Sequence, residues 1–282
     1  MQLYSTISDL QEALSKDRDA GKTVGFVPTM GALHPGHLEL VKRSISENDV
    51  SVVSIFVNPT QFNDANDLLK YPRTLEGDCD LLRSTACSYV FAPDAEEIYP
   101  EPDTRSFDFG ALVTGMEGRF RPGHFNGVAQ VVSRLFDIVK PDKAYFGEKD
   151  FQQLAVVREL VRQLGLNLQI IACPIVREKD GLAMSSRNRR LNENQRKQAV
   201  ILSKTLFESR EMMKNVPVGD LKQWVINQIN AVSGLEVEYF EIVDGTTLQP
   251  IEKWEDTNYP VGCITVFAGD VRLIDNVTYR VS

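Results

Sequence analysis

The stretch VGFVPTMGALHPGH, residues 24–37, joins three local patterns in the chain. An apolar run comes first, a turn rich in Gly and Pro follows, and from Leu38 onward the apolar residues have helical spacing. This order predicts a buried strand, a turn, and a helix that begins beside His34 and His37. The N–H groups at a helix start lack partners inside the helix and favour an anion, so the turn suits phosphate.

The two histidines of this turn have three interpretations. Placed at a helix start, both imidazoles can reach one phosphate group, and Gly31 and Gly36 let a ligand approach the backbone. A pair of solvated turn histidines is the second interpretation. A metal site is the third and the weaker one, because no additional His, Cys or carboxylate lies at zinc spacing.

Strand and helix patterns alternate on either side of this stretch. Residues 49–57, DVSVVSIFV, are nearly all apolar and β-branched, as in a strand covered on both faces. A first helix is predicted with Ser8 as its cap and an end near Gly21. The other predicted elements are helices at 74–84, 126–139 and 151–164 and strands at 89–92, 143–146 and 168–172. The alternation indicates an α/β fold with a doubly wound parallel sheet.

The character of the chain changes after about residue 190. The predicted elements there are helices at 192–214 and 220–232, followed by strands at 236–243, 263–267 and 271–274. Helices followed by strands indicate a smaller α+β domain. We therefore expect a first domain over residues 1–184 and a second over residues 185–282.

Composition narrows the class of protein. The chain has 282 residues and a formal net charge of −8, so it has no general attraction to nucleic acid or to a membrane surface. No apolar run approaches the roughly 20 residues of a membrane span. Cys79, Cys87, Cys173 and Cys263 show no CxxC spacing, which favours free, buried thiols in a reducing compartment. We expect a cytoplasmic protein without nucleic-acid or membrane partners.

Polar residues follow two of the predicted strands. Asn58 and Gln61 come after the strand at 49–57, and Lys149 and Asp150 come after the strand at 143–146. The carboxyl ends of parallel strands are where open α/β sheets bind ligands. Gln61 and Gln153 are neutral amides that can fix a small polar substrate without pairing too strongly with its carboxylate. Each of these residues, taken alone, is also compatible with a solvated surface.

Three further groups of polar residues are candidates for a nucleotide site: Ser185, Ser186 and Arg187 as donors to a triphosphate, Arg121 and His124 as a loop over the ligand, and Asp78 and Asp80 as carboxylates near a magnesium ion. The alternatives are a Ser-Ser-Arg turn that occurs by chance, solvated loop residues, and exposed carboxylates on a helix. The sequence alone leaves these alternatives open.

Six blocks, in this order along the chain, closely resemble the pantoate–β-alanine ligase family, also called pantothenate synthetases. They are PTMGALHPGH at 28–37, IFVNPTQF at 55–62, YPRT at 71–74, RPGHFNGV at 121–128, FGEKDFQQL at 146–154 and MSSRN at 184–188. HxGH alone is typical of the whole nucleotidyltransferase superfamily, whereas the full set is specific to this family. The resemblance covers almost the whole chain.

The resemblance implies a fold, a reaction and a set of contacts. The fold is a Rossmann-like N-terminal domain with a smaller C-terminal lid, in a homodimer. Pantoate reacts with ATP to give pantoyl adenylate and pyrophosphate, and β-alanine then gives pantothenate and AMP. The implied ATP contacts are Met30, Gly31, Ala32, Leu33, His34, Pro35, Gly36, His37, Gly147, Glu148, Lys149, Asp150, Val176, Met184, Ser185, Ser186 and Arg187.

The resemblance and the charge of the reactants together predict the roles of single residues. Gln61 and Gln153 are the implied pantoate contacts, to which Asn58 and Arg121 are added as substrate-binding candidates. An anion must approach a polyanion in the first step, so donors and cations that meet the growing charge supply the catalysis. The predicted catalytic set is His34, His37, Lys149 and Arg187, with Mg²⁺ as a further cation and Asp78 as its candidate ligand. His37 is the implied proton donor.

Three other functions compete with this prediction. Another adenylyl- or cytidylyltransferase of the superfamily would share the HxGH turn, but the paired glutamines and the GEKDFQQL block argue against it. A tRNA synthetase fits poorly because the chain is acidic and short and shows no anticodon-binding region. A nucleotide-binding regulator without turnover does not account for the intact set of His37, Lys149 and Arg187.

Overall fold

The computed structural model describes residues 1–63 and 65–280, which form two compact units. Unit 1 comprises Met1–Phe109, Arg121–Glu148 and Val156–Pro174. Unit 2 comprises Gly110–Phe120, Lys149–Ala155 and the chain from Ile175 onward. The expected division at residues 184 and 185 differs from this one, because unit 2 also includes two segments from the middle of the chain.

The sheet of unit 1 is parallel and has six strands in the order β1-β4-β3-β2-β5-β6. Its strands are β1 (Gln2–Tyr4), β2 (Val24–Thr29), β3 (Val50–Ile55), β4 (Tyr89–Phe91), β5 (Lys143–Gly147) and β6 (Gln169–Cys173). The strand order reverses between β2 and β5, which is the place where doubly wound sheets bind ligands. The predicted parallel sheet is confirmed.

Helices lie between the strands along the chain, in unit 1 as well as in unit 2. In chain order they are α1 (Ile7–Asp19), α2 (Pro35–Glu47), α3 (Ala65–Lys70), α4 (Leu75–Arg83), α5 (Ala95–Ile98), α6 (Met116–Phe120), α7 (His124–Val139), α8 (Phe151–Leu164), α9 (Glu193–Ala199), α10 (Ile201–Met212) and α11 (Val218–Asn230). No helix in the described part of the chain is long and apolar enough to cross a membrane.

The apolar core on one side of the parallel sheet fixes the turn after β2. Val27 and Val53 of the sheet pack there with Leu33, Val41 and Leu82, all of them essentially inaccessible to solvent. Leu33 belongs to the turn itself, so its burial ties the turn to the sheet. All four cysteines of the chain are free and buried, as predicted.

Unit 2 contains an antiparallel sheet of three strands, in the order β7-β8-β9. The strands are β7 (Leu235–Asp244), β8 (Pro260–Ala268) and β9 (Val271–Thr278). Side chains of α10 and α11 pack on this sheet, with Leu206 and Val225 fully buried in the shared core. The predicted α+β character of this region is confirmed.

Several predicted elements differ from the observed ones. The N-terminus forms strand β1 before its helix, and Thr6 rather than Ser8 caps α1 by accepting the N–H of Asp9. β1 is a strand of three residues, too short for its periodicity to be read. The helix predicted at 192–214 divides into α9 and α10 at Val200.

Candidate active site

The turn after β2 adopts an uncommon backbone conformation. Gly31 has a φ of 80° and Ala32 a φ of 49°, both in the left-handed region. Glycine takes this region freely, whereas a Cβ makes it unfavourable for alanine. The turn therefore needs partners elsewhere in unit 1 to keep its shape.

Asp78 of α4 supplies these partners. Its carboxylate accepts the backbone N–H of Ala32 at 2.9 Å and that of Leu33 at 2.7 Å, and it also accepts the hydroxyl of Thr74 at 3.1 Å. Asp78 is only 2% exposed, so the alternative that it is a solvated surface carboxylate is wrong. Asp80 is exposed and pairs with Arg83, as that alternative expected.

The magnesium role of Asp78 stays a prediction. Both of its carboxylate oxygens accept hydrogen bonds from the chain. The described residues contain no group of three or more His, Cys, Asp or Glu side chains that could hold a metal ion.

His34 and His37 cap the start of α2 and face each other. His34 Nδ1 accepts the N–H of Gly36 at 3.1 Å, and His37 Nδ1 accepts the N–H of His34 at 3.3 Å. The two ring centroids are 4.0 Å apart. Because each Nδ1 acts as an acceptor, the proton of each neutral imidazole is assigned to Nε2, which is then a hydrogen-bond donor.

The first turn of α2 already uses its backbone donors. Pro35 has no N–H, the N–H of Gly36 bonds to His34 Nδ1, and that of His37 bonds to the carbonyl of His34 at 2.9 Å. These N–H groups therefore have partners within the chain, and the binding of phosphate at this turn stays a prediction. The positive end of the helix dipole favours an anion at this turn.

Gln61 lies in a short turn after β3 and has a partner at each end of its amide. Its Nε2 lies 2.8 Å from Met30 Sδ, and its Oε1 accepts from Asn58 Nδ2 at 3.2 Å. Asn58 is 1% exposed and also receives the hydroxyl of Tyr99 at 3.0 Å. This network links the turn after β3 to the turn after β2.

The start of α7 fixes the backbone of Gln61. His124 Nδ1 donates to the carbonyl of Gln61 at 2.8 Å, and Arg121 lies 3.2 Å from His124 Nε2. A Cβ on Gly127 would lie 2.3 Å from the carbonyl oxygen of Thr60, so only glycine fits there. Arg121 and His124 thus support Gln61, a role that the sequence did not reveal.

A cavity of about 320 Å³ adjoins the turn after β2 in unit 1. Its lining comes from the carboxyl ends of β3 and β4, the start of α4 and the turn itself. The lining residues are Met30, Gly31, Ile55, Phe56, Val57, Arg73, Thr74, Leu75, Asp78, Ala92, Pro93, Asp94 and Ala95. The turn therefore borders space for a ligand within unit 1.

Lys149 and Gln153 lie at the start of α8, in unit 2. Among the described residues no ion pair of Lys149 is found, and its role toward an anion stays a prediction. Beside them Gln152 is 5% exposed and bonds to the backbone of three residues, Leu112, Gly115 and Glu117. Gln152 thus fixes the helix start that carries Lys149 and Gln153.

Val176 and Met184 lie opposite each other in a hairpin of unit 2. The N–H of Met184 bonds to the carbonyl of Val176 at 3.0 Å. The residues that follow form a short turn in which Ser185 Oγ accepts the N–H of Arg187 at 3.3 Å, while Ser186 is buried. The predicted contacts of this region are therefore brought together by one hairpin and one turn.

A largely buried ionic cluster in unit 2 was not anticipated from the sequence. Arg272 donates to both carboxylate oxygens of Glu117 at 2.7 Å and also bonds to Glu238. Glu117 additionally accepts the hydroxyls of Tyr239 and Thr265. Burial alone would lower the pKa of Arg272, but these carboxylates raise it above its usual value.

Fold and turn together define a class. A parallel sheet that reverses its order at β2, followed by a His-Pro-Gly-His helix start, is typical of the HxGH nucleotidyltransferases. The model of the family described as Pantoate-beta-alanine ligase matches residues 2–278. The chain belongs to this family.

Individual relatives agree over their full lengths. A pantothenate synthetase of Phocaeicola vulgatus is 63% identical over 281 residues, 99% of this chain and 100% of the relative. A crystal structure of the pantothenate synthetase of Thermus thermophilus has a TM-score of 0.94 and 44% identity and covers both chains fully. The pantoate–β-alanine ligase of Francisella tularensis, complexed with β-γ ATP and β-alanine, has a TM-score of 0.83 and 35% identity over 100% of this chain and 99% of that one.

These comparisons establish the activity. The chain is an ATP-using ligase that joins pantoate to β-alanine in pantothenate biosynthesis, as the sequence predicted.

Proposed function

We propose that the turn after β2 and the start of α8 carry the ligation in two steps. A carboxylate oxygen of pantoate first attacks the α-phosphorus of ATP, and pyrophosphate leaves. The unprotonated amine of β-alanine then attacks the acyl carbon of the adenylate, AMP leaves, and the nitrogen releases one proton to water as the amide forms. The proposed ATP contacts are the residues at 30–37, 147–150, 176 and 184–187.

The first step needs charge stabilisation rather than a base. Pantoate is already an anion at neutral pH, so no proton has to be removed before it attacks. Donors fixed in place before the reaction stabilise the charge that grows on the phosphate oxygens. We assign this role to His34, His37, Lys149 and Arg187.

The capping geometry of the histidines is the observation that carries this proposal. Both Nδ1 atoms accept backbone N–H groups, which fixes the rings and assigns a donor to each Nε2. Two donors on rings 4.0 Å apart suit neighbouring oxygens of one phosphate. A histidine pair that only capped the helix would not need its two rings so close together.

Pantoate is proposed to lie against Gln61 and Gln153. Gln61 is fixed by Asn58 and Met30, so little freedom is lost when it binds a substrate. The Asn58 amide is itself committed to Gln61 and to the carbonyl of Gly127. We therefore propose that Asn58 and Arg121 act by holding Gln61 in place.

The proposal also includes Mg²⁺, a homodimer, a C-terminal lid and a cytoplasmic location. Mg²⁺ usually binds through few protein groups and the phosphates of its substrate, so ATP itself would supply part of its ligands. It would neutralise phosphate charge when bound. The lid excludes water from the adenylate, and small-angle scattering tests it by looking for compaction when ATP and pantoate are added.

Replacement of His37 tests the proposal. His37→Ala should lower kcat by about 10²–10³-fold with little change in the KM for ATP, because a transition-state donor is lost. His37→Asn is the matched variant: its Oδ1 can still accept the N–H of His34, but no group replaces Nε2. It should be as slow as His37→Ala and unfold like the parent. A rise in KM at unchanged kcat would contradict the assignment.

A further inference from the structure

Strand β9 continues through two polar residues that are almost inaccessible to solvent. Asp275 is 3% exposed and Asn276 is 6% exposed, although the sequence predicts that the strand ends at Ile274. The strand extends to Thr278 and pairs with β8 over its whole length. Burial of polar side chains is costly unless they are hydrogen-bonded, so their partners are informative.

Asp275 holds the hairpin that carries Val176 and Met184. It lies on the same face of β9 as Leu273 and Val277, which belong to the apolar core, so its charge requires a partner. Arg177 supplies two bonds, from Nη1 at 2.7 Å and from Nη2 at 2.9 Å. The same guanidinium also donates to the carbonyl of Gly181, across the hairpin, at 3.1 Å.

Asn276 holds the backbone of Lys149, which lies two residues before α8. Its Nδ2 donates to the carbonyl of Lys149 at 3.1 Å. Its backbone N–H donates to Asp275 Oδ1 at 2.8 Å, and its backbone carbonyl accepts from Arg177 at 3.4 Å. Neighbouring side chains of a strand point to opposite faces, so this dipeptide reaches both segments at once.

We propose that Asp275 and Asn276 are positioning residues that set Lys149 and the Val176–Met184 hairpin in a fixed relation within unit 2. The inference rests on the proposed function, in which Lys149 meets phosphate oxygens and the hairpin contacts the nucleotide. Neither Asp275 nor Asn276 needs to touch a substrate. Their effect passes through the backbone of Lys149 and through the side chain of Arg177.

A double-mutant cycle in pantoate-dependent pyrophosphate exchange tests this inference. Asn276→Ala should lower the exchange rate at saturating substrates by about 10- to 100-fold, since a displacement of about 1 Å at a reacting group has effects of this size. In a Lys149→Ala background the same change should lower the rate less than about 2-fold, because the residue through which Asn276 acts is gone. A purely structural role would give the same loss in both backgrounds and would overturn the inference.

Gln198→Ala provides the matched control. Gln198 Nε2 also donates to a backbone carbonyl of unit 2, that of Ser233 at 2.7 Å, but it lies in α9, outside every segment of proposed contacts. The control should leave the exchange rate unchanged in both backgrounds. An equal loss in the control and in Asn276→Ala would also overturn the inference.

Asp275→Asn tests the contact between Asp275 and the Val176–Met184 hairpin. It keeps the size of the side chain but removes the charge that pairs with Arg177, so the hairpin should loosen. The KM for ATP should rise several-fold more than kcat falls, and an unchanged KM would overturn this half of the inference. If the parent chain showed no pantoate-dependent exchange, the proposed function would fail instead, so the two failures are distinguishable.

Discussion

Buried carboxylates in the two units are stabilised in different ways. Asp78 in unit 1 accepts two backbone N–H groups and a hydroxyl and has no cation among its described partners. Glu117 in unit 2 accepts two bonds from Arg272. The first carboxylate shapes a single turn, while the second joins α6 to the strands β7 and β9.

The difference indicates what each carboxylate is for. Neutral N–H donors fix the local backbone shape around Asp78. No cation among its described partners compensates the charge of this carboxylate, which lies beside the candidate ligand-binding turn. An ion pair whose two charged groups are both removed from water contributes little net stability, but the loss of one partner is costly. We therefore expect the stability of unit 2 to depend on intact ion pairs. The shape of the turn in unit 1 should depend on hydrogen-bond geometry.

The largest expected effect is the loss of Arg272. Arg272→Ala leaves Glu117 and Glu238 facing each other without a cation, and breaking a buried pair typically costs about 3–5 kcal/mol. The free energy of unfolding, from urea titration, measures the change.

The double variant Glu117→Gln with Arg272→Met is the control for this prediction. It should recover much of the loss, because the charge of Glu117 is removed together with its cation and only Glu238 is left without Arg272. Equal destabilisation of the single and double variants would show that packing, not charge, dominates this cluster.

The loss of Asp78 is expected to have a smaller effect on stability. Asp78→Ala leaves the N–H groups of Ala32 and Leu33 without their acceptor, which should cost about 2–3 kcal/mol. Asp80→Ala, on the same helix, is the exposed control and should stay within about 0.5 kcal/mol of the parent. A cost for Asp78→Ala as large as that for Arg272→Ala would remove the distinction between the two kinds of carboxylate.

The smallest expected effect concerns acid stability. Hydrogen bonds from Arg105 hold the pKa of Asp103 well below its usual range, with help from Arg134. Because the folded-state pKa is depressed, the stabilisation is present above the unfolded value of about 3.9 and is lost as the pH falls below it.

Asp103→Asn measures this contribution. The variant should lose about 1–2 kcal/mol at neutral pH and differ progressively less from the parent between about pH 4 and pH 2. A pH-independent difference in the free energy of unfolding would show that Asp103 acts through packing or neutral hydrogen bonds.

The sequence predicts the local parts of this molecule well. The apolar run of β2 and the histidines at the start of α2 are adjacent in the chain, and their pattern is enough to predict a strand, a turn and a helix. The free, buried state of the cysteines also follows from their number and spacing in the sequence.

Non-local partners account for what the sequence did not predict. Asp78 binds a turn 45 residues earlier in the chain, and Glu117 pairs with Arg272 at a separation of 155 residues, so no periodicity reveals either contact. For the same reason the polar residues Asp275 and Asn276 looked like the end of a strand. Their partners, Arg177 and Lys149, lie about a hundred residues away or more.

Isotope exchange between pyrophosphate and ATP tests the adenylate route most directly. With Mg²⁺ and pantoate but no β-alanine, the chain should exchange pyrophosphate into ATP, and it should release AMP in repeated turnovers only when β-alanine is added. Exchange that did not need pantoate, or AMP release that needed β-alanine without any exchange in its absence, would contradict the account.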